Sequence, residues 1–160
     1  MELVAVRVSV PRDANLIIGQ THFIKSVEDI YENIVTTVPC AKFGFAFNEA
    51  SGECLVRHEG NDKTLEDAAV QACLDVGAGH SFVILLRDAY PINILNGLKS
   101  VQEVCSIFCA TANPVEVIVA QGKDGRGIMG VIDGSSPKGV ENDRARSKRK
   151  EFLRKIGYKQ

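Results

Sequence analysis

The chain has 160 residues, of which 45% are hydrophobic and 24% charged, and its net charge is −1. That length suits one domain able to bury about 70% of the surface its unfolded chain would expose, and the composition excludes disordered and membrane-embedded classes. The longest apolar run falls far short of a membrane span, and no basic segment followed by a hydrophobic run opens the chain, so a cytoplasmic protein is expected.

Cysteines stand at 40, 54, 73, 105 and 109. An odd number, four of them within apolar periodic segments, fits buried free thiols better than disulfides. Cys105 and Cys109 share a face of a predicted helix with no histidine at metal-ligand spacing, so no zinc site is expected. The small net charge conceals a basic C-terminal segment: Arg144, Arg146, Lys148, Arg149, Lys150, Arg154, Lys155 and Lys159 stand against Asp143 and Glu151.

Val4, Val6, Val8 and Val10 alternate with other residues in a period-two strand that Pro11 closes. After a polar turn, Leu16 to Ile18 lead into a short extended segment, Gly19 to Lys25, that carries His22. Ser26 is placed to cap a helix whose stripe is Val27, Ile30, Tyr31, Ile34, Val35 and Val38, stopped by Pro39. Phe43, Phe45 and Phe47 put three aromatics on one strand face and leave small residues on the other, a face that expects a close neighbour. A turn at Asn48 to Gly52 and a returning strand from Cys54 to Arg57 make a hairpin. Thr64 is placed to cap a second helix, with Leu65, Ala68, Ala69, Ala72, Cys73 and Val76 inward and Gly77 at its end.

Next come Gly77-Ala78-Gly79-His80 and an apolar run, Ser81 to Arg87, that reads as a strand buried on both faces. Pro91 opens a third helix expected to run from Ile92 to about Thr111. Val115, Val117 and Val119 begin a strand, Lys123 to Arg126 turn, and Gly127 to Ile132 return. A linker at Ser135 to Gly139 precedes the basic helix, placed at about 141–157 and anchored by Phe152, Leu153 and Ile156. The expected architecture is α+β in a single domain, 1–160. It holds a mixed sheet of about six strands with hairpins, packed by three main helices and a docked C-terminal one.

Gly125-Arg126-Gly127-Ile128-Met129-Gly130 fits G-x-G-x-x-G. A strand follows it where a dinucleotide site needs a helix N-terminus, so a tight hairpin turn explains it better, with Arg126 left free to hold a phosphate. His22 and His80 both follow small or polar residues at element junctions, where an imidazole serves as a nucleophile or proton carrier if its second nitrogen is held. From the residues alone, a helix cap followed by a hydrogen-bonded structural histidine accounts for His80 better. His58, on a polar strand end, has less to offer. Glu49, Asp62 and Asp133 lie in turns; turn chemistry explains each, and a metal-nucleotide site would draw on the same residues.

In chain order, the segments His22 to Lys25, Lys42 to Phe47, Glu49 to Gly52, Gly60 to Asp62, Gly77 to His80, Ala110 to Pro114 and Gly125 to Gly134 together resemble the adenosine-specific kinase family, over nearly the whole chain. The resemblance implies a protein that binds adenosine or AMP and carries a stable phosphohistidine. It further implies a homo-oligomer, either a trimer or a dimer of trimers, and phosphate moved to or from adenosine. His80 and His22 fall in matching segments, with Glu49 and Asp62 as further catalytic candidates. Lys25, Asn48, Ser51, Arg57, Asn61, Gly79, Thr111, Asn113, Arg126 and Asp133 are the ligand-binding candidates, and magnesium, if used, would draw on Glu49, Asp62 and Asp133. The Phe43–Phe47 strand and the Thr111–Asn113 turn offer an apolar slot and polar edge for the base. A side chain at Gly79 would crowd a phosphoryl group on His80.

The leading reading is a phosphotransferase acting through a phosphohistidine, and the alternative is a non-catalytic module that senses adenosine nucleotides. Nucleic acid is not the expected partner of the basic segment. It holds no aromatics beyond Phe152 and Tyr158 and fits no named module, so a solvated helix, or one docked on another subunit, is expected.

Overall fold

Periods of two and of 3.6 alternate along the chain, and the computed structural model, which describes residues 1–160, follows them closely. The elements are β1 (Glu2–Val8), β2 (Asn15–Thr21), α1 (Ser26–Thr37), β3 (Lys42–Asn48), β4 (Val56–Gly60) and α2 (Lys63–Val76). They continue with β5 (Ser81–Arg87), α3 (Pro91–Ser100), β6 (Val104–Thr111), β7 (Val115–Gln121), β8 (Arg126–Asp133) and α4 (Asp143–Lys155). The class is α+β, as expected. The strands form two sheets, ordered β4-β3-β5-β2-β6 and β1-β7-β8, and every named pairing is antiparallel, so the mixed sheet resolves into two antiparallel ones. No helix is long and apolar enough to cross a membrane.

The five-stranded sheet is apolar on both faces, which is why β5 reads as an unbroken hydrophobic run. On one face Phe43, Phe45, Phe47, Phe82 and Ile84 pack under α1 and α3, through Ile30, Ile34, Ile94 and Leu98. On the other, Ala46, Val83 and Leu85 meet the inner stripe of α2 and Val115, Val117 and Val119 of the smaller sheet. A fully buried Ile or Leu of this kind contributes about 2 kcal/mol.

Three expectations are corrected. The third helix ends at Ser100, and Val104 to Thr111 form an edge strand paired with β2 through two register shifts, so Cys105 and Cys109 lie on a strand and not on a helix face. All five thiols are free, but only Cys73 and Cys109 are buried. Burial pushes the Cys73 thiol up to about 12 and the Cys109 thiol to about 11, which keeps both protonated. The helix caps also differ. Asp62, not Thr64, accepts from the Leu65 amide at the start of α2. Ser26 is the buried first residue of α1, and its hydroxyl turns inward to Thr21 and Glu103.

The small face of β3 has the close neighbour it requires. A Cβ on Gly44 would overlap the backbone of Leu65 and Glu66, so α2 crosses the sheet in direct contact with β3. A Gly44→Ala variant is expected to lose about 3 kcal/mol, because helix and sheet must separate to admit one methyl group. A urea midpoint equal to that of the wild type would show that α2 does not rest there.

Candidate functional site

Antiparallel register brings five strand ends to one edge of the larger sheet: the C-termini of β2 and β3 and the N-termini of β4, β5 and β6. Gln20 pairs with Ser81, Phe47 with both Phe82 and Arg57, and Thr21 with Val104. Backbone bonds continue across the edge. The Thr21 amide donates to the His80 carbonyl at 2.9 Å, and the His80 amide donates to the Asn48 carbonyl at 2.8 Å. His22, Lys25, Asn48, Glu49, Ser51, Arg57, Gly79 and His80 therefore share one end of the sheet.

His80 is held there in an unusual way. Gly77 ends α2 with φ 60°, and His80 itself has φ 61°. That region costs a residue with a Cβ about 1–2 kcal/mol and is occupied when surrounding bonds over-determine it. Asn48 supplies several of those bonds. Its Nδ2 donates at 2.9 Å to the Cys73 carbonyl and to the Ser81 hydroxyl, which in turn donates to the Ala78 carbonyl at 2.6 Å. The imidazole lies nearly parallel to Phe47, with ring centres 6.0 Å apart and planes 13° apart. Its Nε2 stands 3.8 Å from Glu49 Oε1, and the side chain is one-third exposed.

Glu49 is built as an ionised acceptor. Partial burial pushes its carboxyl up, but the Ala50 and Ser51 amides, the Ser51 hydroxyl and the nearby His80 outweigh it and hold the group below the usual carboxylate range. Arg57 faces Phe47 across the β3–β4 ladder, and its Nε is buried with no partner. An unpaired buried donor is costly, and an anion would satisfy it.

The β2 side of the same edge holds the other histidine. His22 is exposed, with Nδ1 3.4 Å from the Glu103 carbonyl oxygen and 4.0 Å from Cys105 Sγ. Beneath it Glu103 is 2% exposed and accepts from the Ser26 hydroxyl at 3.3 Å; Ser26 and Thr21 oxygens are 2.6 Å apart. Lys25 Nζ lies 3.0 Å from Asp29 and 3.5 Å from Glu103. The hydrogen bond with Asp29, opposed by desolvation and aided by both carboxylate charges, raises the Lys25 pKa. Glu103 escaped sequence reasoning because the segment was assigned to a helix; a lone buried acid leaves no pattern.

A cleft of about 580 Å³ adjoins the edge, enclosed by the β3–β4 turn, the end of α2 and the β7–β8 hairpin, with Asn48, Glu49 and Gly79 on its His80 side. Gly79 has Ala50 as its close neighbour, 2.9 Å from where a Cβ would stand, so contact between two turns accounts for this glycine. Arg126 is engaged: Nε donates to Gln121 at 2.7 Å and an NH group to the Asp75 carbonyl at 3.0 Å, tying the hairpin to the end of α2.

The remaining candidates lie elsewhere. Asp62 caps α2 and stands 3.7 Å from Arg87, at the opposite end of β5 from His80. Asn61 bonds the Phe43 amide and the Ala41 carbonyl. Thr111 and Asn113 donate to Asp133 at the far end of β6. Glu49, Asp62 and Asp133 thus do not converge, and Phe43, Phe45 and Phe47 are fully buried, so that strand presents no slot to a base.

A model of the family described as adenosine specific kinase matches residues 6–159. The chain belongs to that family. The crystal structure of the PH1918 protein from Pyrococcus horikoshii OT3 is similar over 99% of this chain and 98% of that one, at 42% identity and a TM-score of 0.95. No curated protein matches. Within this adenosine specific kinase fold the segments holding His22 and His80 meet at one sheet edge, whereas those holding Asp62 and Thr111 close the opposite one.

The left-handed backbone at His80 is directly testable. At an ordinary site alanine is favoured over glycine by about 0.5–1 kcal/mol. At position 80 the order is expected to reverse, with His80→Gly about 1 kcal/mol more stable than His80→Ala in urea unfolding. The usual order would mean that the strain is absent.

Proposed function

We propose that the chain moves phosphate to or from adenosine through a phosphohistidine at His80. The carrying observation is the placement of His80: rigid backbone, ring seated on Phe47, and Nε2 3.8 Å from an ionised Glu49, which itself lines the neighbouring cleft. Membership of the adenosine specific kinase family supplies the nucleoside. In the forward sense, the Nε2 lone pair attacks the phosphorus of a donor, the phosphorus–oxygen bond to the donor breaks, and its electrons leave with that oxygen. The adenosine 5′-hydroxyl then attacks, the phosphorus–nitrogen bond breaks back to the ring, and Glu49 receives the hydroxyl proton. Arg57, paired with Phe47 across the β3–β4 ladder, brings a guanidinium to this edge for a phosphoryl oxygen. Magnesium, if the reaction uses it, has Glu49 as its ligand at this edge, since Asp62 and Asp133 lie at the other.

Intact-mass measurement after incubation with a nucleotide and magnesium tests the proposal. One phosphoryl group is expected on the wild type and on His22→Ala, and none on His80→Ala. Label retained by His80→Ala sinks the assignment. The competing reading, a sensor that binds adenosine nucleotides without turnover, draws support from Arg126, whose guanidinium is engaged by Gln121 and two carbonyls. Stoichiometric binding with no phosphohistidine at any nucleotide concentration would favour it.

The same proposal includes assembly as a trimer or dimer of trimers. Helix α4 has no buried residue, and Phe152, Ile156 and Tyr158 are exposed along it and just beyond. A solitary helix of its length is marginal in water. It carries seven basic and two acidic side chains, a net +5 in a chain of net −1, so the remainder of the chain is −6 and complementary to it. Light scattering of the full chain is expected to show a multiple of three copies, reduced when residues after Gly139 are deleted. A monomeric full chain at micromolar concentration would contradict it.

A further inference from the structure

We infer that Glu103, a buried carboxylate outside the reacting groups, is a positioning residue for His80; this rests on the phosphohistidine reading above. Glu103 lies in the turn between α3 and β6 and is 2% exposed. Burying a carboxylate is costly unless its oxygens are met, and both are met from one short loop, Thr21 to Ser26. The Ser26 hydroxyl donates to Oε1 at 3.3 Å, and Lys25 Nζ stands 3.5 Å from Oε2. The main chain of Glu103 serves the same loop, its carbonyl accepting from the His22 amide at 3.3 Å.

These bonds run in one direction. Ser26 gives its single hydroxyl proton to Glu103, so the Thr21 hydroxyl, 2.6 Å from it, donates to Ser26. Thr21 and Ser26 are fully buried, which keeps solvent from competing. The Thr21 amide then donates to the His80 carbonyl at 2.9 Å. A line from Glu103 through Ser26 and Thr21 thus ends on the backbone of the histidine.

Regular strand pairing does not fix this corner by itself. β2 shifts register against β6 on both sides of Gly19-Gln20, and its ladder with β5 stops at Gln20. His80 is held at its amide by Asn48 and at its carbonyl by Thr21. A residue in left-handed backbone stays there only while such bonds over-determine it, and its ring turns when one is loosened. A displacement of about 1 Å in a reacting group costs about 100-fold in rate.

Two variants of the full chain test the inference. Glu103→Gln keeps the shape of the side chain and removes the charge that Lys25 faces, and Thr21→Val breaks the line at its other end with little change of shape. Single-turnover phosphorylation by acetyl phosphate is measured beside the imidazole 1H–15N spectrum, its three histidines assigned by single alanine variants. In both variants the saturating rate constant is expected to fall roughly tenfold or more, with the half-saturating acetyl phosphate concentration unchanged. The His80 signals are expected to move while those of His58 stay. A role in stability alone would lower the urea midpoint and leave the rate and the His80 signals as in the wild type, and that result overturns the inference. Should Glu103→Gln fail to fold, Thr21→Val decides alone. If the wild type takes no phosphate, the phosphohistidine reading falls. Unmoved His80 signals then overturn the positioning role as well, whereas moved signals uphold it.

Discussion

The contact between α2 and the small-residue face of β3 governs the rest of the molecule. Gly44 has no side chain, so the helix backbone at Leu65 and Glu66 rests on the strand itself, and Ala46 one step along the same face keeps the approach close. That contact fixes where α2 ends. Its last turn hands the chain to Gly77, and only Ala78 and Gly79 separate that cap from His80. With so few residues the histidine cannot be placed independently of the helix. The approach of helix to sheet therefore sets the position of the imidazole, and Asn48, bonding both Cys73 and Ser81, locks the two ends of the connection together.

Elements with a clean period were legible from sequence. The valines of β1, the phenylalanines of β3 and the stripe of α2 each state their own geometry, and Gly77 announces the helix end. The segment after Ser100 was not legible. Its apolar residues at 101, 104, 105, 107, 108 and 109 satisfy a helical stripe as well as a strand, because β6 is an edge strand, half-buried on both sides and shifted twice in register against β2. Strict alternation is lost where bulges occur, and only the partner strand resolves the ambiguity.

The candidate site was legible as residue types and not as roles. Asp62, Asn61, Thr111, Asn113 and Asp133 have the chemistry of a ligand site, yet each satisfies backbone or neighbouring polar groups that would otherwise be unpaired. Such service is invisible in a sequence because the group served lies on another element. The left-handed conformation of His80 is equally hidden, since Gly77 and Gly79 beside it are the residues that adopt positive φ without strain. Gly77 does carry one, and the second falls on the histidine and not on Gly79.

The two ends of the five-stranded sheet differ in how completely their polar groups are paired. At the Asp62 end, Arg87 meets a carboxylate, Asn15 donates to the Ala89 carbonyl, and Asp133 collects two donors. At the His80 end, Arg57 Nε is buried without a hydrogen bond and Glu49 keeps an oxygen free, while the buried Glu103 is met by Ser26 and Lys25. A fold maintained only for stability would gain by pairing or removing such groups. Left-handed backbone and clefts occur at both edges, at His80 on one and at Asp13 and Asp88 beside the clefts along α4 on the other, so what differs is the pairing of the polar side chains. That asymmetry in pairing, more than the identity of any single residue, distinguishes the two edges of the sheet.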